Sequence, residues 1–598
     1  MKRGVVTKQS GPQDAEVAVA PRRSLIERLE DLLVAPGEER TGIRENFWLW
    51  ASFAFSLYFT ARALWEAFAS DYVVQDDARQ HVFWTLRYFD PELLAGDLIA
   101  DYFQSVAPAG YTAMYRVAAA VGIDPLLLGK LLPVPLALVI TYFSYGLSMR
   151  IIRVPAAAFF ATLIMNEGIW MRNGLVSSTP RAFLYPLFLA FLFYLTGRNR
   201  WLCLVPLALM GLFYPTIMLV SLGVLMLEPL KVEGWRLRLS RERSDYLLPA
   251  AGLAVALAVL LPYAGQTSAF GPTYTGAEAR AMPEFQQRGR LAFFHEGFWR
   301  YWVTGKGSGM ATWTFLPITI SIGFLLPILA IFPGRFPLIK QVTRSIALLA
   351  KIAVVSIALF FAAHLLLFKL YFPSRYTVSP LRVVLAFAAG ISLVALLEAV
   401  FRWARQNLAP QARLIATAVA SAAILALAIY PVLSPAMLDT RYITGKYTGL
   451  YEFFQSQPKD TLIASLSQEA DNFPVFTRRP VLVGREYSLP LHRGFYIRMQ
   501  ERAVDLIKAH YAADLDELQS FIRKYGVDYL VVDRQAFESA YLDDKWIRQY
   551  EEAAQAARSR IQQGEVPALA RLMDSCAVAT DKRFVVISAE CVLGRAPR

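Results

Sequence analysis

Apolar sequence returns repeatedly along the first three-quarters of this chain, and nothing else in it restricts the fold as strongly. About eleven runs, near 46–69, 125–149, 155–170, 182–196, 201–213, 216–230, 246–264, 315–332, 346–367, 378–400 and 414–432, read as bilayer-crossing helices. In lipid every backbone N–H and C=O must be satisfied internally, so such runs fold as packed helices. Composition agrees, with 56% of the 598 residues hydrophobic and 18% charged, and a mean hydropathy of +0.37. From 438 onward the sequence becomes mixed and polar. The expected architecture is a polytopic α-helical membrane protein with a small C-terminal α/β soluble domain. Its parts are an N-terminal segment 1–45, a membrane domain 46–437 and a C-terminal domain 438–598.

The short turns between the runs set the orientation. Those at 150–153, 197–200, 231–244, 333–344 and 401–413 are all rich in Lys and Arg. Placing the N-terminus inside puts every one of them on the cytoplasmic side, as the positive-inside rule requires. The net charge of +13 is thereby explained, and no basic stripe on a soluble domain points to nucleic acid; the lipid bilayer is the expected partner. The first 45 residues are too long and too mixed for a signal peptide's basic region, so no cleavage is expected. Within them, SLIERLEDLLV has leucines at helical spacing and suits a helix on the membrane surface or an ordinary solvated or self-packed one. The outer face then receives 70–124, 171–181, 265–313, 368–380 and the whole C-terminal domain.

In that domain DTLIASL, RPVLVGREY and VDYLVVD read as strands, and ERAVDLIKAHYAADLDELQSFIRKYG as one or two amphipathic helices. Two further strand-like runs end the chain, with Cys576 and Cys591 near their two ends. In an oxidising exterior compartment these cysteines either close a hairpin as a disulfide or stay unpaired. Cys203 falls in a span, and three cysteines without CxxC spacing make no zinc site.

Chemistry concentrates in the first outer segment, where VVQDDARQHVFW places Asp76 and Asp77 side by side just after a span. The following ARQHVFWTLRYF fits one interfacial helix with Val82, Phe83, Leu86 and Phe89 on a common side. A carboxylate at a partly apolar interface has its pKa raised, and two neighbours can share a proton or hold a divalent cation. The alternative is that the pair caps the helix, since Asp favours helix starts. His81 is close enough to assist, or is an interface residue. Glu167, at the outer end of the third run, needs a cavity or an arginine partner such as Arg172 or Arg181. The long segment 265–313 mixes aromatics with Glu278, Glu284 and His295 and suits a lid over a site.

A span leaving the cytoplasm, a few residues, then an acidic pair opening an interfacial helix resembles the GT-C superfamily of membrane glycosyltransferases. The order of about eleven spans, a long late outer loop and an exterior C-terminal domain resembles it too. The resemblance implies a polyprenyl-phosphate-linked sugar donor, a glycan, lipid or protein acceptor, and inverting transfer. By position Asp76 matches the leading acid and becomes the candidate general base, with Asp77 beside it and Glu167 nearest to a second acidic position. Arg375 in KLYFPSRYTVSPLR, and Arg181 in SSTPRAF, are candidates to hold the lipid (pyro)phosphate, since a guanidinium binds phosphate in bidentate fashion; snorkelling to headgroups is the alternative. Asp76, Asp77 and Glu167 are the ligands if a divalent cation (Mg or Mn) is used. The chain lacks a WWDYG-type motif, so peptide asparagine glycosylation is not expected. A flippase or transporter of a lipid-linked glycan, and a non-catalytic GT-C-like envelope assembly protein, are the competing functions. Compact loops and Arg-rich turns suit a bacterial inner membrane with a periplasmic C-terminal domain.

Overall fold

Five helical stretches of the computed structural model are long and apolar enough to cross a membrane: Pro125–Ile151, Ser244–Leu261, Arg344–Leu365, Pro373–Asn407 and Pro410–Leu433. Shorter apolar helices at Pro180–Leu195, Arg200–Phe213, Pro215–Met226 and Ile318–Ile331 occupy four more of the expected runs. The structure describes residues 24–37, 42–233, 236–265, 269–287, 289–312, 314–434 and 437–594. Most of the N-terminal segment therefore lies outside the described residues.

The Pro155–Trp170 helix is buried at every residue. It is apolar almost all round, as a helix at the centre of a bundle must be. Ile43–Ala67, Pro133–Ile151 and Val378–Asn407 pack around it. Small residues allow the approach: a Cβ on Gly390 would lie 2.5 Å from the backbone N of Ala161. On the opposite end of the bundle from the acidic pair, Leu25–Val34 is a helix with a Ser24/Glu27 capping box. Its buried Glu30 takes Arg405 and, at 2.9 Å, Arg413. That helix is packed on the protein.

The segment after Asp77 departs from the single expected helix. It forms three short pieces, Ala78–His81, a 3-10 turn Phe83–Thr85 and Leu86–Phe89. The Thr85 hydroxyl donates to the Val82 carbonyl at 2.5 Å, a local bond that competes with the helical ladder. Val82, Phe83 and Leu86 are buried as expected, whereas Phe89 is exposed.

The C-terminal region carries a four-stranded sheet in the order Ile463–Ala464, Tyr529–Asp533, Phe584–Ser588, Ala577–Asp581. The first pair is parallel and the others antiparallel. RPVLVGREY contributes only a bridge between Val481 and Ile463. Pro480 has no N–H for a ladder, and the Glu486 N–H goes to Asp471 at 3.0 Å instead. The expected helical stretch becomes two helices, Arg493–His510 and Leu515–Tyr525.

Cys576 and Cys591 are joined in a disulfide that closes a loop of sequence separation 15. Replacing both with Ala is expected to cost about 3 kcal/mol through regained freedom of the unfolded chain. Urea unfolding followed by proteolysis of the C-terminal region measures this. An unchanged midpoint would show that the sheet does not need the bridge.

Candidate active site

Two backbone devices fix the acidic pair. Val73–Gln75 pairs antiparallel with Tyr442–Thr444, so the segment after the first long apolar helix is tied to the chain that leaves the last one. The ladder continues into the pair itself, with the Asp76 N–H donating to the Arg441 carbonyl at 3.1 Å. Gln75 then serves as the cap. Its Oε1 accepts the N–H groups of Asp77 (2.8 Å) and Ala78 (3.2 Å), and its Nε2 donates to the Thr440 carbonyl at 3.2 Å. Asp77 occupies the N-cap position of Ala78–His81, yet its side chain makes no capping bond. The carboxylate is free for other work.

The two carboxylates look in different directions. Asp76 pairs with Arg79, whose guanidinium also donates to Asn472 of the C-terminal region at 2.9 Å. That junction is dense with charge. Gln80 donates to Glu486 at 2.5 Å, and Arg290 of the long outer segment reaches Glu486 at 2.6 Å. Burial, then the Glu486 charge, push the Asp471 carboxyl up from its ordinary range, against Arg79. Asp76 thus belongs to the contact of segments 70–124 and 265–313 with the C-terminal region.

Asp77 belongs to the other side. Its Oδ2 accepts from Asn173 at 2.9 Å and pairs with Arg181, which also donates to the Asn173 Oδ1 at 3.3 Å. About a third of its side chain is accessible, 33%, enough for a substrate to reach it. Burial alone would raise its pKa, as expected from sequence. The positive charges of Arg181, Arg375 and Lys306 oppose that effect, and the carboxyl is held below its ordinary range. His81 is pushed down to about 4 by burial, with Asp77 opposing and Arg181 and Arg375 adding. It is a neutral imidazole at neutral pH.

The loop that supplies Arg181 and Asn173 is clamped by its neighbours. Ser178 adopts φ 52, a left-handed conformation that costs a non-glycine residue energy. The hydroxyls of Tyr111 and Tyr115 each donate to its carbonyl at 3.2 Å, and its own hydroxyl donates to the Gly129 carbonyl. These bonds hold the turn that aims Arg181 at Asp77.

Lys306 lies in the long segment 265–313 but is not among the residues named there. It stands in TGKGSGM, between Gly305 and Gly307. Gly307 has φ +86, and a Cβ on Gly309 would lie 2.6 Å from the Gly305 N, so only glycines make this loop. The Ser374 N–H donates to the Gly307 carbonyl at 3.0 Å, joining the lysine's loop to the Pro373–Tyr376 turn that presents Arg375. His364 fixes the loop from below, its Nε2 2.9 Å from the Ser308 carbonyl. Among the described residues neither Lys306 nor Arg375 has a carboxylate in an ion pair. Both cations act on the Asp77 carboxylate through their charge.

Glu167 is placed apart from these contacts. It is fully buried, neither carboxylate oxygen has a hydrogen-bond partner, and Arg181 goes to Asp77 instead. Among the described residues no group of three His, Cys, Asp or Glu could hold a metal ion. With Asp76 turned to Arg79 and Asp77 to Arg181 and Asn173, the three expected donors do not fit a common cation.

No family model and no curated protein matches the chain. Solved structures do. Oligosaccharyltransferase AglB from Archaeoglobus fulgidus, in complex with an inhibitory peptide and a dolichol-phosphate, superposes with a TM-score of 0.51 at 12% identity, over 87% of this chain and 72% of AglB. The Archaeoglobus fulgidus oligosaccharyltransferase tethered with an acceptor peptide gives 0.45 at 13% identity, over 86% and 72%. Arabinofuranosyltransferase AftD from Mycobacteria gives 0.46 at 14%, over 83% of this chain and 37% of AftD. Helices that fit a membrane and the AglB superposition agree: the chain shares the overall fold of this membrane oligosaccharyltransferase.

Proposed function

We propose that this protein transfers a sugar from a polyprenyl-phosphate carrier to an acceptor hydroxyl on the outer face of a membrane, with inversion. The observation that carries the reading is the accessible Asp77 carboxylate held by Arg181, under the positive charge of Arg375 and Lys306, two cations without carboxylate partners among the described residues. In the proposed step the acceptor oxygen attacks the anomeric carbon and its proton passes to Asp77. The bond from that carbon to the phosphate oxygen breaks, and the electron pair leaves with the phosphate. Arg375 and Lys306 neutralise the charge that develops there. Arg181 and Asn173 hold the Asp77 carboxylate in place, and His81 remains neutral beside it. No step requires a metal ion. The reading includes an N-terminus inside, about eleven crossings and an exterior C-terminal domain, as the Lys/Arg-rich turns imply. A bacterial inner membrane is the setting that suits it.

The sign of the pH dependence follows from Asp77. A base whose pKa is depressed stays ionised as pH falls, so transfer keeps its rate down to the ordinary carboxylate range, about pH 4. His81, at about 4, adds no limb near 6.5. A pH–rate profile that is level on its acid side from about pH 5 to 7 is expected, and a half-loss near 6.5 would mean that histidine is the base.

Proteoliposomes loaded with labelled undecaprenyl-phosphate-linked hexoses test the reading itself. Label should leave the lipid and free polyprenyl phosphate should accumulate when envelope glycans are added outside. Label that crosses the bilayer still attached to its lipid would make the protein a flippase.

A further inference from the structure

A second concave site lies next to the acidic pair. It is a pocket of about 360 Å³ formed by the segment 70–82, the Pro125–Leu131 helix, the 176–178 turn and the C-terminal region. That volume is in the range of small-molecule sites, about 300–1,000 Å³. Its walls are the two segments that build the catalytic cleft. Gln75 and Ala78 flank the aspartates in the chain, and Ser177 and Ser178 lie between Asn173 and Arg181. Asp77 itself is not in the lining, although residues on both sides of it in the chain are.

The lining has a different chemistry from the cleft. The rings of Tyr72 and Phe476, 5.7 Å apart, give it apolar faces. Lys130 brings an ammonium to the same space, and Gln455 and Ser177 bring an amide and a hydroxyl that also donate to the Phe476 and Gly174 carbonyls at 2.7 and 2.8 Å. Its charges cancel. Arg478 is paired with Asp124 at 2.8 Å, and Lys130 feels both Asp71 and Asp124. A site with aromatic faces, mixed donors and acceptors, and no net charge suits an uncharged sugar ring. An anion has no advantage there, in contrast to the cleft with Lys306 and Arg375.

We propose that this pocket is a glycan subsite for the acceptor, holding an uncharged sugar residue next to the one whose hydroxyl reacts at Asp77. This rests on the transferase reading and narrows its acceptor to a glycan chain.

The test uses the full chain in nanodiscs on an array of immobilised uncharged oligosaccharides, acidic oligosaccharides, peptides and phospholipid headgroups. Retention by an uncharged oligosaccharide is expected. Gln455→Leu and Lys130→Ala should each weaken it by about tenfold, as for the loss of a hydrogen bond in a shielded site. Lys130 lies over the Phe68 ring at 5.1 Å, so an unchanged unfolding temperature is required of its variant. Arg375→Gln should leave retention unchanged. The proposal is overturned if no oligosaccharide is retained, if acidic glycans, peptides or headgroups are held better, or if both pocket variants bind like the wild type. Release of sugar from undecaprenyl phosphate is measured in parallel. Loss of pocket sensitivity with release intact would remove the subsite alone, whereas pocket-dependent retention without release would remove the transferase reading alone.

Discussion

Asp77→Asn is expected to lower the single-turnover transfer rate by about 10²–10⁴-fold, the usual worth of a positioned general base. Asp76→Asn is expected to cost far less, about tenfold, through a looser contact with the C-terminal region. The difference comes from what each carboxylate touches. Asp77 is partly accessible and faces Arg181, Asn173 and the unpaired cations, while Asp76 is engaged by Arg79. Asparagine keeps the size of the side chain and one acceptor oxygen, so donor binding should survive in the Asp77 variant. Rates with saturating donor, together with an unchanged unfolding temperature, decide the matter. Equal losses at the two positions, or a larger loss at Asp76, would place the base at the leading aspartate, where sequence position alone puts it.

The second large effect concerns the phosphate. Arg375→Ala and Lys306→Ala should each weaken the binding of free undecaprenyl phosphate by about 10–100-fold, the range of a charge-assisted hydrogen bond. Arg375→Lys should recover only part of the loss, because an ammonium cannot reproduce the planar two-pronged contact. The two single effects should not add, since both groups face one anion and their loops are joined through Ser374 and Gly307. Titration of the lipid phosphate into the reconstituted protein gives the constants. If Lys306→Ala binds like the wild type, the glycine loop has some other purpose.

The chemistry of the site was only partly legible in the sequence. Apolar runs and Arg-rich turns gave the helices and the expected orientation, because bilayer physics acts on composition over long windows. The acidic pair, Arg181 and Arg375 were visible as charged residues at the ends of such runs, and the structure brings Asp77, Arg181 and Arg375 near one another. Choosing between the aspartates was beyond reach. That choice depends on Gln75 taking over the cap and on Arg79 reaching Asn472, which is 393 residues away in sequence. The expected rise in carboxylate pKa failed for the same reason, since the opposing cations come from three separate loops. Lys306 had a readable signal, a lysine framed by three glycines in TGKGSGM, although its direction depends on the Ser374 contact. Glu167 had the right position in sequence, but its helix is buried on all sides and keeps it from the Asp77 contacts.

The most direct test of the account is a structure of the protein with undecaprenyl phosphate bound in a lipid nanodisc. The phosphate is predicted within about 3 Å of the Arg375 guanidinium and the Lys306 ammonium, with the Asp77 carboxylate on the side where the sugar would stand. A phosphate held elsewhere, with Arg375 and Lys306 left in solvent, would contradict it.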